Sequence, residues 1–189
     1  MRKLLRNTRQ VSERLLHPLR RRAATERVRQ HPSPAQVLVV CQGNICRSPF
    51  AGYLLRRLLA SRGIRVESAG FLPPGRPAPR EAIKAARHRG VDMSGHCSRM
   101  LSPELVKSSG LIIVMDREQA QAIRDQYGAA PSNVILLGDL DPLGIDTRRV
   151  LDPVDMPLSV FEAVYDRIER CAKALAEALG SDGHPAKGV

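Results

Sequence analysis

The 189-residue sequence contains no tryptophan, and its aromatic residues amount to 3% of the whole. Proteins that hold single-stranded nucleic acid stack its bases on aromatic side chains, so this composition argues against that class. Cysteine is sparse as well. Cys41, Cys46, Cys97 and Cys171 form no Cys-x-x-Cys pair, which argues against the usual zinc frameworks; no metal or other cofactor is expected. A chain of this length does not need disulfide staples. No apolar run approaches the roughly 20 residues of a membrane helix. The first residues are charged but lack the apolar segment of a secretory leader, so a reducing, cytoplasmic setting is expected.

Acidic residues are scarce at one end. Residues 1–31 hold ten Lys or Arg against Glu13 and Glu26, a net of +8 out of the chain's +11. The remaining +3 is ordinary for a domain. The basicity therefore belongs to an extension over residues 1–34, helical or disordered, and does not mark a nucleic-acid surface. Leu4, Thr8, Val11, Leu15 and Leu19 recur at helical spacing. His17-Pro18 is expected to interrupt that helix, because the residue before proline avoids helical geometry. Two main readings of the extension stand: a solvated, partly disordered arm, or a basic arm that touches an acidic partner or an anionic membrane surface. "HPSP", residues 31–34, reads as a linker.

Beyond the linker, strand and helix patterns alternate over residues 35–180, with a flexible tail expected at 181–189. "QVLVVC" is a short β-branched run of the kind found in buried parallel strands. Residues 49–62 read as a helix with Ser48 as cap, Pro49 in the first turn and Gly63 as stop. "IRVESAG" is a second strand, and a helix follows over 80–89. "LIIVMD" is a third strand, with a helix over 117–127, and "NVILLGD" is a fourth. A loop rich in Asp, Pro and Gly covers 138–157, and an amphipathic helix spans about 159–179. This alternation implies an α/β fold built on a doubly wound, four-stranded parallel sheet. Ligands of such sheets bind beyond the carboxyl ends of the strands, where Cys41, Ser68, Asp116 and Asp139 fall.

The first strand ends in "CQGNICRSP", residues 41–49. A loop between a strand and a helix N-terminus turns several backbone N–H groups inward, and the helix dipole adds to their attraction for an anion. Gly43 and Asn44 tolerate the left-handed conformations such a nest uses. Arg47 brings a planar fork matched to two phosphoryl oxygens. The same positive field favours a thiolate at Cys41, because helix N-termini and adjacent cations stabilise ionised sulfur, and Ser48 is placed to donate a hydrogen bond to it. Such a loop holds a tetrahedral oxyanion over a nucleophilic sulfur.

The Cys-x5-Arg-Ser spacing is a phosphatase signature, and this stretch resembles the low-molecular-weight protein tyrosine phosphatase family. "ESAG" at 67–70, "DMSGHCSRML" at 92–101, "IIVMD", and Asp152-Pro153 with Phe161 nine residues after the aspartate resemble further family segments. The likeness runs over about residues 36–179 and implies the phosphotyrosine phosphatase I-like, flavodoxin-like three-layer fold. It implies Cys41 as nucleophile, Arg47 and the loop of Gln42, Gly43, Asn44, Ile45, Cys46 and Ser48 as the phosphate cradle, and Asp152 as general acid and then base. It implies Ser68 and His96 as supports of the loop, and Cys46 as a thiol that protects Cys41 reversibly under oxidation. It implies a phosphotyrosine protein as substrate, and bacterial relatives often act on tyrosine kinases of polysaccharide export. Asp155, Asp139 and Asp141 are rival acids near Asp152.

Val154 and Asp155 stand where family members often carry aromatics, and Gly110 stands where they tend to have Asp before the third strand. Phe71 or Leu72 is expected to form the opposite wall of the cleft. Protein arginine phosphatases share the fold but usually carry Thr where this chain has Ile45, whose larger apolar side chain favours an aryl phosphate. Thioredoxin-coupled arsenate reductases share it too, but need two further cysteines close together. A non-enzymatic anion-binding module needs the nest but neither the thiol nor the acid. Oligomeric state stays open.

Overall fold

A computed structural model describes residues 2–31 and 33–180, residues 2–10 by their backbone alone; the expected flexible tail at 181–189 lies outside the described residues. Four strands, β1 (Gln36–Cys41), β2 (Arg65–Gly70), β3 (Leu111–Val114) and β4 (Val134–Leu136), form one parallel sheet in the order β2-β1-β3-β4. β1 is central and buried at all six positions, which is why it reads as an unbroken apolar run rather than an alternating one. Its odd and even residues face different layers. Val37, Val39 and Cys41 pack with α2 (Arg47–Leu58), α3 (Arg80–Arg87) and α6 (Leu158–Gly180). Leu38 and Val40 pack with α4 (Pro103–Lys107) and α5 (Arg117–Tyr127). The doubly wound three-layer sandwich is thus the fold.

Several element boundaries differ from the sequence reading. The first core helix starts at Arg47, and Cys46 is its N-cap without a side-chain bond, so Ser48 is not the cap. The hydroxyl of Ser48 is engaged with Cys41 and Ala69 instead. The helix ends at Leu58, and a 3₁₀ turn carries the chain to the left-handed Gly63. The fourth strand keeps only three residues before a 3₁₀ turn over Leu137–Leu140. α4 had no strong sequence signal; Ser102 caps it through the Leu105 N–H.

The extension is α1 (Arg2–Arg29), which runs through Pro18 without the expected break. Proline costs one intrahelical bond, but Pro18 is exposed, and the residue before it is anchored from outside the helix. His17 is 4% exposed, and its Nε2 lies 2.9 Å from the Asp141 carbonyl oxygen. Ala24 and Val28 join the core cluster of α6. Arg27 crosses to the open edge of the sheet and donates to the carbonyls of Pro131 and Val134. A solvated arm does not describe this segment: one face of α1 is packed. Burial also discourages an Arg27 guanidinium from holding its charge, and lowers its pKa against the pull of Asp139.

Gly110, where an acid was expected by resemblance, has a steric reason. A Cβ there would lie 3.1 Å from Pro34, which folds over the start of β3, and the Gly110 N–H donates to the Gln36 carbonyl.

Candidate active site

The carboxyl end of β1 delivers Cys41 to the floor of a cup whose wall is the loop to Arg47. Cys41 is 2% exposed. Its Sγ receives the Asn44 N–H at 3.2 Å and sits 3.0 Å from the Ser48 hydroxyl. Both contacts suit a sulfur that carries negative charge, since hydrogen bonds to a charged form favour it. The Ser48 hydroxyl also donates to the Ala69 carbonyl at 3.3 Å.

Asn44 is the hub of the loop. It takes a left-handed backbone, φ 51°, as the sequence suggested for Gly43 or Asn44; Gly43 does not. Its amide donates to Ser48 Oγ at 2.9 Å and Ser68 Oγ at 3.0 Å, and its Oδ1 accepts the Arg99 N–H at 2.8 Å. His96 Nε2 lies 2.7 Å from its backbone oxygen. Ser68 and His96 are therefore placed around the loop. Gly70 lets the second strand pass behind it: a Cβ there would lie 2.7 Å from the Asn44 nitrogen.

Arg47 is buried, with its Nη1 donating to the Val150 carbonyl at 3.1 Å and its Nη2 to Asp152 Oδ2. Its Nε, also buried, has no partner. A buried donor without a partner is costly, and an oxyanion in the cup is the natural acceptor. The carboxyl of Asp152 and the sulfur of Cys41 line the same small cleft, about 110 Å³, with Gln42, Gly43, Ile45, Cys46, Leu72, Arg76 and Val154. Leu72 is the opposite wall; Phe71 packs instead against the core on the far side of the sheet.

The rival acids are otherwise engaged. Asp139 is bound by Arg148 at 2.6 Å, and Asp141, 1% exposed, by Arg167 at 3.1 Å and Arg170 at 3.3 Å. These pairs fasten the loop that carries Val150 and Asp152. Asp155 is exposed with φ 60° and does not line the cleft. Burial, with Asp152 and Cys41 nearby, pushes the Cys46 thiol well above its ordinary range. Burial pushes Cys171, inside α6, up to about 12. Cys97 is exposed beside the Pro77 bridge while Cys171 is in the core, so the two do not form a surface relay.

Two residues that hold the loop escaped the sequence reading. Arg76, from the Pro-rich loop, donates to the Gly43 carbonyl at 2.9 Å, and its buried Nε has no partner. No spacing marks it. Tyr165 donates its hydroxyl to the Cys46 carbonyl at 3.0 Å and stacks on Phe50, ring centroids 4.0 Å apart. It is one of three tyrosines, and a tyrosine on the apolar face of a buried helix is itself a hint that its hydroxyl has a polar target.

A thiol and a guanidinium sharing one strand–loop–helix cup, with a carboxyl at its rim, define a cysteine-based phosphatase on a doubly wound sheet. Comparison with known proteins agrees. The family model described as low molecular weight phosphotyrosine protein phosphatase matches residues 36–184, and the chain belongs to that family. It is 39% identical over 135 residues to the probable low molecular weight protein-tyrosine-phosphatase EpsP of Ralstonia nicotianae, covering 71% of this chain and 88% of that protein. Among solved structures it resembles the tyrosine phosphatase Wzb from Escherichia coli K30 in complex with sulphate, with TM-score 0.69, 33% identity, and 77% and 99% of the two chains covered. It also resembles the YwlE arginine phosphatase from Geobacillus stearothermophilus, with TM-score 0.67, 28% identity, and 76% and 91% covered. Among the described residues, no helix is long and apolar enough to cross a membrane.

Proposed function

We propose that residues 35–180 form a protein-tyrosine phosphatase domain that works through a cysteinyl-phosphate intermediate, in the cytoplasm, on a tyrosine-phosphorylated bacterial protein such as a tyrosine kinase of polysaccharide export. The observation that carries the reading is Cys41 Sγ held by the Asn44 N–H and the Ser48 hydroxyl, under a buried Arg47, in one cleft with Asp152.

The steps follow from those groups. The Cys41 sulfur attacks phosphorus as the bond to the phenolic oxygen breaks. Arg47 and the amides of residues 42–46 receive the charge on the equatorial oxygens, which is electrostatic preorganisation. The Asp152 carboxyl gives its proton to the leaving oxygen. Asp152 then takes a proton from water, whose oxygen attacks phosphorus and releases the sulfur with inorganic phosphate. All the positive charge needed comes from the protein. Asn44, Ser48, Ser68 and His96 hold the loop in the conformation that aims its amides. Cys46, beside Cys41 in the same cleft, serves as the resolving partner once Cys41 is oxidised.

Ile45, Leu72 and Val154 give the cleft apolar walls, which suit an aromatic ring better than a guanidinium. Turnover of para-nitrophenyl phosphate is expected to be vanadate-sensitive, to persist in EDTA and to vanish in Cys41→Ser. Asp152→Ala is expected to cut it by about 10²–10⁴-fold, as for loss of general acid catalysis; full turnover by that variant would remove Asp152 from the mechanism. Phosphotyrosine peptides are expected to outrun phosphoarginine peptides, and the reverse order would assign the site to phosphoarginine.

A further inference from the structure

α1 has two faces, and only one is used. His17, Ala24 and Val28 pack on the body. On the opposite face Val11, Leu15 and Leu19 follow one another at four-residue intervals and are 57%, 73% and 68% exposed. Leu16 beside them is 43% exposed. Four large apolar side chains exposed within residues 11–19 of one helix are far from the scattered single residues normal at a surface. Exposed Arg21 and Arg22 follow directly. Leu143, 55% exposed, lies in a loop tied to α1 by the Arg14–Asp146 ion pair.

The charge of this segment selects among occupants. A second copy would bring two +8 segments together, and like charges oppose that docking. An apolar stripe rimmed by arginines fits a surface that is apolar below and anionic above, because the stripe enters the acyl boundary while the guanidinium groups stay at the headgroups. We propose that the outward face of α1 docks the enzyme on an anionic lipid bilayer, with Val11, Leu15 and Leu19 inserted. The α1 face that holds the body stays packed, so the phosphatase domain sits on the membrane rather than in it.

Vesicle flotation of the full chain tests this, with Leu15→Ser/Leu19→Ser and Arg21→Glu/Arg22→Glu double variants; para-nitrophenyl phosphate turnover serves as the folding control. The chain is expected to float with phosphatidylcholine vesicles containing phosphatidylglycerol, not with phosphatidylcholine alone, and to be released by salt. Each double variant is expected to lose at least about tenfold in binding at unchanged turnover. Lack of binding to the anionic vesicles overturns the proposal, as does a leucine variant that binds like the parent. Retention on immobilised polyglutamate without vesicle binding assigns the face to an acidic protein. A dimer in sedimentation velocity that the leucine variant dissolves assigns it to self-association.

Discussion

Asn44 carries more of the site than its small side chain suggests. Its left-handed backbone turns the loop, its N–H meets the sulfur, and its amide ties the hydroxyls of Ser48 and Ser68 to the Arg99 backbone. Asn44→Ala would take a hydrogen-bond donor from the buried Ser48 and Ser68 hydroxyls, a cost of about 1–3 kcal/mol, and would place a non-Asn residue at positive φ. Thermal midpoint is expected to fall, and kcat to fall more than KM rises, because the loop amides lose their aim on the transition state. Unchanged kcat with a lowered midpoint would make Asn44 structural only. At this scale the sequence was informative wherever chemistry is local in the chain: Cys41, Asn44, Arg47 and Ser48 lie within eight residues. Arg76, the Val150 carbonyl and Tyr165 were silent because their contacts to the loop come through the fold, across 33, 103 and 119 residues.

Among the elements, the central strand was legible because burial on both faces leaves an apolar run, and its flanking helices because their apolar residues recur at helical spacing. The short α4 and the truncation of β4 were not, since five and three residues are too few for a period to show. α1 shows the opposite failure. Its strongest periodic stripe, Val11-Leu15-Leu19, faces solvent, and the packed face rests on a histidine, an alanine and a valine. Val28 alone removes enough apolar area to stabilise the chain by about 1.5–3 kcal/mol. A chain beginning at residue 34 is therefore expected to melt lower, at about 2–4 °C per kcal/mol for this size, while its Cys41 site turns over normally. An unchanged midpoint in calorimetry would show that α1 does not pack in solution.

For the whole molecule, the parallel sheet explains where chemistry sits. β1 and β3 carry their carboxyl ends to one rim, where Cys41 meets the loop from Gly138 to Asp152, and the Val150 N–H closes that loop on the Met115 carbonyl. Asp139 and Asp141 look like catalytic acids in the sequence but serve as the anchors of this loop, bound to Arg148, Arg167 and Arg170. Only the folded chain distinguishes an anchor from an acid, because both are aspartates of the same Asp- and Pro-rich stretch, residues 138–157. The proposed mechanism places a covalent phosphoenzyme on one thiol out of four. Rapid acid quench of the full chain during para-nitrophenyl phosphate turnover, followed by peptide mass mapping, reads this directly. Phosphate is expected on Cys41 and on no other residue, with a nitrophenol burst that matches the enzyme added; steady turnover with Cys41 unmodified, or phosphate on a different side chain, would contradict it.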